Sequence, residues 1–147
     1  MSECRCDGRG VLIFACSGAS NVGQIANEVA KRLHSEGYGT FSCLAGIAGE
    51  IPGMVASARA ADAIIVLDGC SVACARAVLE RAGMATCHHQ VVADLGVRKN
   101  HSLEIDETDI ERVYEAVRAG APAVVYGARS STDCCGCGCE CEGGCGE

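Results

Sequence analysis

Tryptophan is absent from this chain, and aromatic residues make up only 3% of its 147 positions. A core without large rings must be filled by Ala, Val, Ile and Leu, which suits helices packed tightly on a small sheet. No apolar run approaches the length of a membrane-spanning helix. The run from Val11 to Ala15 before Cys16 holds five apolar residues, too few for a signal-peptide core. Basic residues are also scarce, 12 against 19 acidic ones, for a net charge of -7. Nucleic-acid binding demands a basic surface and is therefore excluded as an expectation. By length the chain holds one domain with room for a real core, and it reads as soluble and cytoplasmic, with no membrane partner.

What the chain has in abundance is cysteine, 13 in all. A secreted disulfide scaffold is the usual reading of such a number. Here the count is odd, and apolar residues reach 49%, enough to fold without staples. Free thiols in a reducing compartment are the expectation.

Strand-like and helix-like segments alternate. Residues 11–16 form a continuous apolar run, as expected of a strand buried on both faces. Ser17-Gly18-Ala19-Ser20-Asn21 makes a turn with cap candidates. Val22, Ile25, Ala26, Val29, Ala30 and Leu33 then fall at helical spacing, with Gly37 as the stop. Residues 38–43 predict a weaker second strand containing Phe41. Gly46, Gly49 and Pro52-Gly53 predict a loop, and residues 54–61 a short helix. Ala63-Ile64-Ile65-Val66-Leu67 is a third strand ending in Asp68-Gly69-Cys70. A helix with Ala75, Val78, Leu79 and Ala82 on one face follows, stopped by Gly83. Gln90-Val91-Val92-Ala93 predicts a fourth strand. The last helix turns Ile110, Val113, Tyr114 and Val117 inward, with Thr108 and Glu111 as a capping box.

This alternation predicts an α/β protein of three layers: a four-stranded parallel sheet, order 2-1-3-4, with right-handed crossovers and helices on both faces. Residues 1–9 read as a Cys-containing arm, 10–120 as the domain and 121–132 as a linker in which Ala123-Val124-Val125-Tyr126 can add an edge strand. Residues 133–147 contain little but Cys, Gly and acidic side chains, and are expected to be disordered without a ligand because they cannot bury apolar surface.

Cysteines fall where strands end: Cys16, Cys43 and Cys70, with Cys74 one helical turn after Cys70. In an open parallel sheet ligands bind at the carboxyl ends of the strands, and four thiols delivered to one edge make a soft-metal site the leading expectation. Any one of them alone is ordinary core filler. With the first strand central, Cys43 and Cys70 start roughly 10 Å apart, given strands about 4.8 Å apart. Zinc, with Zn–S bonds of about 2.3 Å, requires the loops to curl inward; an iron–sulfur cluster tolerates the span more easily.

Asp68-Gly69-Cys70, Cys16-Ser17-Gly18, Cys43, Cys74 and the stretch from Asp94-Leu95-Gly96 to Lys99-Asn100 together resemble the DGC-domain family of zinc-binding proteins. The resemblance covers residues 11–119 and implies metal binding through Cys16, Cys43, Cys70 and Cys74. Other motifs fail on particular residues. Gly18 to Gly23 has P-loop spacing, but Gln24 and Ile25 replace the Lys and Ser/Thr. Val22 stands where a low-molecular-weight cysteine phosphatase or arsenate reductase needs arginine, and the Rossmann glycine pattern is missing.

In the tail, Cys134, Cys135, Cys137, Cys139, Cys141 and Cys145 can converge on a soft cation such as zinc or copper(I), joined by Cys4 and Cys6. Cys87-His88-His89 precedes the predicted fourth strand and reads as exposed, at the wrong edge for the main site. His34 is expected to complement a helix dipole and His101 to lie in a surface loop. Asp68 is expected to orient the Cys70 loop through an Asx turn. The reading is a metal storage, delivery or sensing protein, a binder ahead of an enzyme because closed four-thiolate zinc sites leave no open position. Its partners would be a metal ion and a metal- or sulfur-transfer protein. The alternatives are a sulfur or selenium carrier or redox enzyme with Cys16 or Cys70 as nucleophile, both favoured as thiolates by helix N-termini, and an iron–sulfur protein.

Overall fold

Two strands form the spine of the molecule: β1 (Val11–Ala15) and β3 (Ala63–Asp68), paired in parallel from Val11 opposite Ala63 to Ala15 opposite Leu67. The structure is a computed structural model and describes residues 10–121. β3 is buried along its whole length, which is why both strands are apolar without alternation up to the closing Asp68. Their side chains nevertheless sort by parity. Val11, Ile13, Ala15, Ala63, Ile65 and Leu67 face one cluster. Phe14, Ile64 and Val66 face the other.

The first cluster is closed by α1 (Asn21–Ser35) and α5 (Glu107–Gly120), which bury Val22, Ile25, Val29 and Leu33 against Val113, Tyr114 and Val117. The second is closed by α2 (Leu44–Ala48), α3 (Pro52–Ala60) and α4 (Cys74–Arg81), through Ile47, Ala58, Ala75 and Leu79. Short strands β2 (Thr40–Phe41) and β4 (His88–Val91) flank the pair, giving the parallel order β2-β1-β3-β4. The expected three-layer doubly wound architecture is the observed one. The chain leaves β1 toward one edge and β3 toward the other, so the crevice between their carboxyl ends is the switch point of the sheet.

Several boundaries differ from expectation. The second strand has two residues, so Cys43, expected at its end, sits instead at the N-cap of α2, a helix that takes up part of the expected loop. Helix α3 begins at Pro52, a residue suited to the first turn because its missing N–H would have no intrahelical partner. Gly37 and Gly83 stand at φ +75° and +72°, just past α1 and α4, as the stop signals required. Helix α5 begins at Glu107, with Asp106 as its cap accepting from the Thr108 amide at 2.8 Å. Acidic Glu107 and Asp109 in the first turn suit the helix dipole and favour that earlier start over a box from Thr108.

The fourth strand starts two residues before its expected position. His88 and His89 lie inside β4, opposite Ile65 and Val66, and Val92–Leu95 is a 3-10 turn. Both imidazoles are half-buried, which corrects the reading of them as exposed. Pairing overrode composition here, since a histidine packs well in a strand that follows the register of β3. Burial, with His89 alongside, pushes the His88 pKa down. The residues of the N-terminal arm, the linker strand and the cysteine-rich tail lie outside the described part of the chain.

Candidate functional site

The Asp68-Gly69-Cys70 turn is built by three different requirements. Asp68, the last residue of β3, is 1% exposed. Its Oδ1 accepts the Ala75 amide at 2.8 Å and its Oδ2 the Arg76 amide at 3.1 Å. These are the second and third residues of α4, whose N-cap position holds Ala73, a residue with no oxygen to offer. A strand-end carboxylate thus caps the helix across the sheet edge, satisfying donors that would otherwise be orphaned. His89 Nε2 lies 2.9 Å from Oδ2 and donates to it, since a carboxylate only accepts. The expected Asx turn around Cys70 is therefore replaced by a longer-range role: Asp68 ties β3, β4 and the first turn of α4 together.

Gly69 follows because the chain passes against α1. A Cβ there would lie 2.7 Å from the Gly23 nitrogen and 2.8 Å from the Val22 carbonyl carbon, both backbone atoms that cannot swing aside. Gly69 also donates its N–H to Cys16 Sγ at 3.0 Å. Gly69→Ala is expected to cost about 2 kcal/mol by overpacking and to lengthen that N–H···S contact. Urea unfolding, with the Cys16 alkylation rate read in parallel, checks both; unchanged stability would show that α1 yields.

The loop after Cys70 closes with the Ala73 amide on the Cys70 carbonyl at 3.0 Å. Ala73 adopts the left-handed region, φ 52° and ψ 47°, a conformation that costs a non-glycine residue on the order of 1 kcal/mol. That turn sets Cys74 as the first residue of α4.

The five described cysteines are all free thiols. Cys16 and Cys70 are half-buried, and Cys43, Cys74 and Cys87 are exposed. Burial pushes the Cys16 pKa up; the Asp68 carboxylate and the Cys74 and Cys70 thiols push it further, against the opposing Gly69 N–H. The expected helix-terminal advantage for a Cys16 thiolate does not hold. Cys16 lies four residues before the Ser20 cap of α1, beyond the short range of the dipole, and its neighbours are negative or apolar.

Cys70 and Cys74 thus lie near enough to Cys16 to bear on its ionisation. Cys43 stands apart at the start of α2, in an open cleft of about 400 Å3 that Ala15, Ser17, Phe41 and Leu44 also line. Among the described residues, no three His, Cys, Asp or Glu side chains converge closely enough to hold a metal ion. The separation follows from strand spacing: Cys43 and Cys70 leave strands on opposite sides of β1. Cys87 precedes β4, at the opposite end of the strands from Cys70, and His101 is exposed in a loop, as expected. His34, at the end of α1, accepts the Phe41 amide on Nδ1 at 3.2 Å, and so fastens β2 as well as lying at a helix C-terminus.

Two side chains beside the thiols were not singled out as contacts by the sequence, although Lys99-Asn100 belongs to the stretch that carries the family resemblance. Lys99 Nζ lies 3.4 Å from Cys70 Sγ. Asn21, read only as a possible cap, is 6% exposed and holds the backbone of the Lys99 loop. A polar residue between a cap and an apolar helix face gives no hint that it is buried, so only the fold reveals the clamp.

A parallel α/β domain with free thiols gathered at the switch point of its sheet is the class that fold and site define. The DGC-domain family model matches residues 12–117, and this chain belongs to that family. It is also 36% identical over 103 residues to the anaerobic and virulence modulator AnvM of Pseudomonas aeruginosa, across 70% of this chain and 79% of that protein. No solved structure matches it. Among the described residues no helix is long and apolar enough to cross a membrane.

Proposed function

We propose that this chain binds a soft metal ion, zinc before others, through the thiolates of Cys16, Cys43, Cys70 and Cys74. The observation that carries this reading is the placement of Cys16, Cys70 and Cys74 at the carboxyl ends of β1 and β3, with the Gly69 N–H on Cys16 Sγ and the Lys99 ammonium beside Cys70 Sγ. Grouped thiols and a carboxylate disfavour ionisation in the absence of a cation, and a bound dication relieves that opposition. The donor set fits zinc in kind: thiolates are soft ligands, and N–H groups from Gly69 and Lys99 already point at two of the sulfurs. Cys43 and Cys74 are exposed, so their side chains are free to turn toward a shared ion. When bound, the metal would supply a cross-link between the α1, α2 and α4 ends of the sheet.

The role proposed is sensing, storage or delivery. Carried over from the name of its relative, a modulator's role favours sensing. An exposed Cys74 at the start of α4 and an ammonium beside Cys70 support a second reading, a sulfur or selenium carrier with Cys70 as nucleophile. They favour Cys70 over Cys16, whose thiol is the harder one to ionise. Further ions at Cys134, Cys135, Cys137, Cys139, Cys141 and Cys145 are proposed on composition alone, zinc or copper(I) being the softest match.

Metal content decides between these. The 147-residue chain, with its eight cysteines outside residues 10–121 replaced by serine, should hold about one zinc when purified without oxygen. Iron and sulfide with absorption around 400 nm would make it a cluster protein. Metal-free protein carrying extra sulfur on Cys70 would support the carrier reading instead.

A further inference from the structure

Helix α3 buries one residue, Ala58, yet its remaining side chains are not those of a helix facing water. Arg59 is its only charge. The outer faces of α1, α4 and α5 carry the ion pairs Lys31–Glu28, Arg76–Glu80 and Arg112–Asp109. A helix without a polar face belongs in an interior or against a neighbour. With Ala58 turned inward, helical spacing turns Gly53, Ala56 and Ala60 outward, and all three are exposed. They form a strip low enough for the axis of a second helix to come close.

The surroundings of α3 are fixed. The Met54 sulfur lies against Gly46 of α2, where any Cβ would collide with it. α2 ends with the Glu50 amide donating to the Ile47 carbonyl at 3.0 Å and the Ile51 amide to the Gly46 carbonyl at 2.9 Å. Glycine is the usual residue of such a turn, but Glu50 occupies it, at φ 55°. Glu50 and Ile51 are thereby set at one end of α3, with Ile51 50% exposed. Beside the helix runs a groove of about 350 Å3, lined by Ile47, Pro52, Val55 and Ala82 and carrying two charges, Glu50 and Arg59. Neither charge is ion-paired among the described residues. They stand at opposite ends of α3, whose nine residues span roughly 13 Å.

We propose that this face binds a second copy of the chain, the two α3 helices packing antiparallel about a two-fold axis near Ala56. The charges select that occupant. Reversing one helix on the other brings Glu50 of each copy to Arg59 of its partner, so both unpaired charges are matched, and matched twice. A parallel arrangement would set like against like. Ile51 of each copy then lies along the small-residue strip of the other. Interface cores are depleted in charge and enriched in Met, with polar groups at the rim, and this face has that distribution. One helix and its flanking groove make a small contact, so the dimer is a reversible one. No metal and no disulfide takes part in it.

The test is sedimentation velocity of the 147-residue chain, with a reductant and a chelator present so that neither disulfides nor metal ions bridge copies. The weight-average mass is expected to rise from the 15.1 kDa of one chain toward twice that value as the concentration reaches about 100 μM, the behaviour of a small reversible interface. Glu50→Arg and Arg59→Glu each place two like-charge pairs across the axis, and each should weaken association at least about tenfold. Combining them exchanges the signs and should return the dissociation constant to within about threefold of wild type. Ala56→Glu, at the axis, should give a monomer at every concentration. All three side chains are exposed, so far-UV circular dichroism should match wild type. If Glu50→Arg disturbs its turn, Arg59→Glu and Ala56→Glu decide the matter.

A wild-type chain that stays monomeric across that range overturns the proposal, and the face then belongs to a different protein. A dimer that Ala56→Glu leaves intact overturns it too, because the copies then meet elsewhere. Single charge variants that lose the dimer, with no recovery in the double variant, overturn the antiparallel pairing.

Discussion

Asp68→Ala is expected to lower the unfolding free energy by about 3 kcal/mol, the largest loss for any single polar side chain described here. The carboxylate accepts two backbone amides of α4 and one imidazole N–H. All three donors lose their partner at once, and the site is too buried for water to replace it freely. Asp68→Asn keeps one acceptor oxygen but turns an amide donor toward the Arg76 amide or His89, so roughly half the loss is expected. His89→Leu removes only the third contact and should cost about 1 kcal/mol. Urea denaturation of the three variants gives this order directly. A smaller effect for Asp68→Ala than for His89→Leu would mean that α4 finds another cap. Amide exchange should also show the first turn of α4, and Cys74 with it, opening sooner in Asp68→Ala.

The second large effect concerns the thiols. Replacing any one of Cys16, Cys43, Cys70 or Cys74 with serine is expected to weaken zinc or cadmium binding by about a hundredfold or more, because a hydroxyl is not an anionic soft donor at neutral pH. Cys87→Ser should leave affinity unchanged, since Cys87 precedes β4 and takes no part in the cluster. Chelator competition across the five variants separates a four-thiolate site from a smaller one. Losses confined to Cys16, Cys70 and Cys74, with Cys43→Ser at wild-type affinity, would reduce the site to the three thiols at the ends of β1 and β3. A single sensitive cysteine that also reacts far faster than the rest with alkylating agents would point to a nucleophile.

Architecture was readable because burial writes itself into residue type. Val11–Ala15, and β3 up to its final Asp68, are apolar throughout, as central parallel strands must be. The 3.6-residue spacing from Val22 to Leu33 marks α1 because one face of a helix packs on that sheet. The parallel order follows from the alternation of such segments and the handedness of their crossovers. Edge elements were less legible. β2 has two residues and β4 four, none of the four fully buried, so composition says little where water covers part of the strand. Helix α2 was invisible at five residues with a glycine in the middle, too short for any period to show.

The sequence by itself therefore determined the layered sheet, its order, and which strand ends carry the thiols. Tertiary structure alone decided what those thiols face. Periodicity reports whether a residue is inside or outside; it does not report the neighbour on another element. Asp68 reaching α4 seven residues on, His89 meeting Asp68 from β4, and Asn21 gripping a loop 77 residues away are contacts between elements. The raised pKa of Cys16 has the same origin, since burial and charges contributed by β3 and α4 outweigh anything in its own segment. Each depends on distances set when the sheet closes, and short-range patterns in a chain carry no record of them.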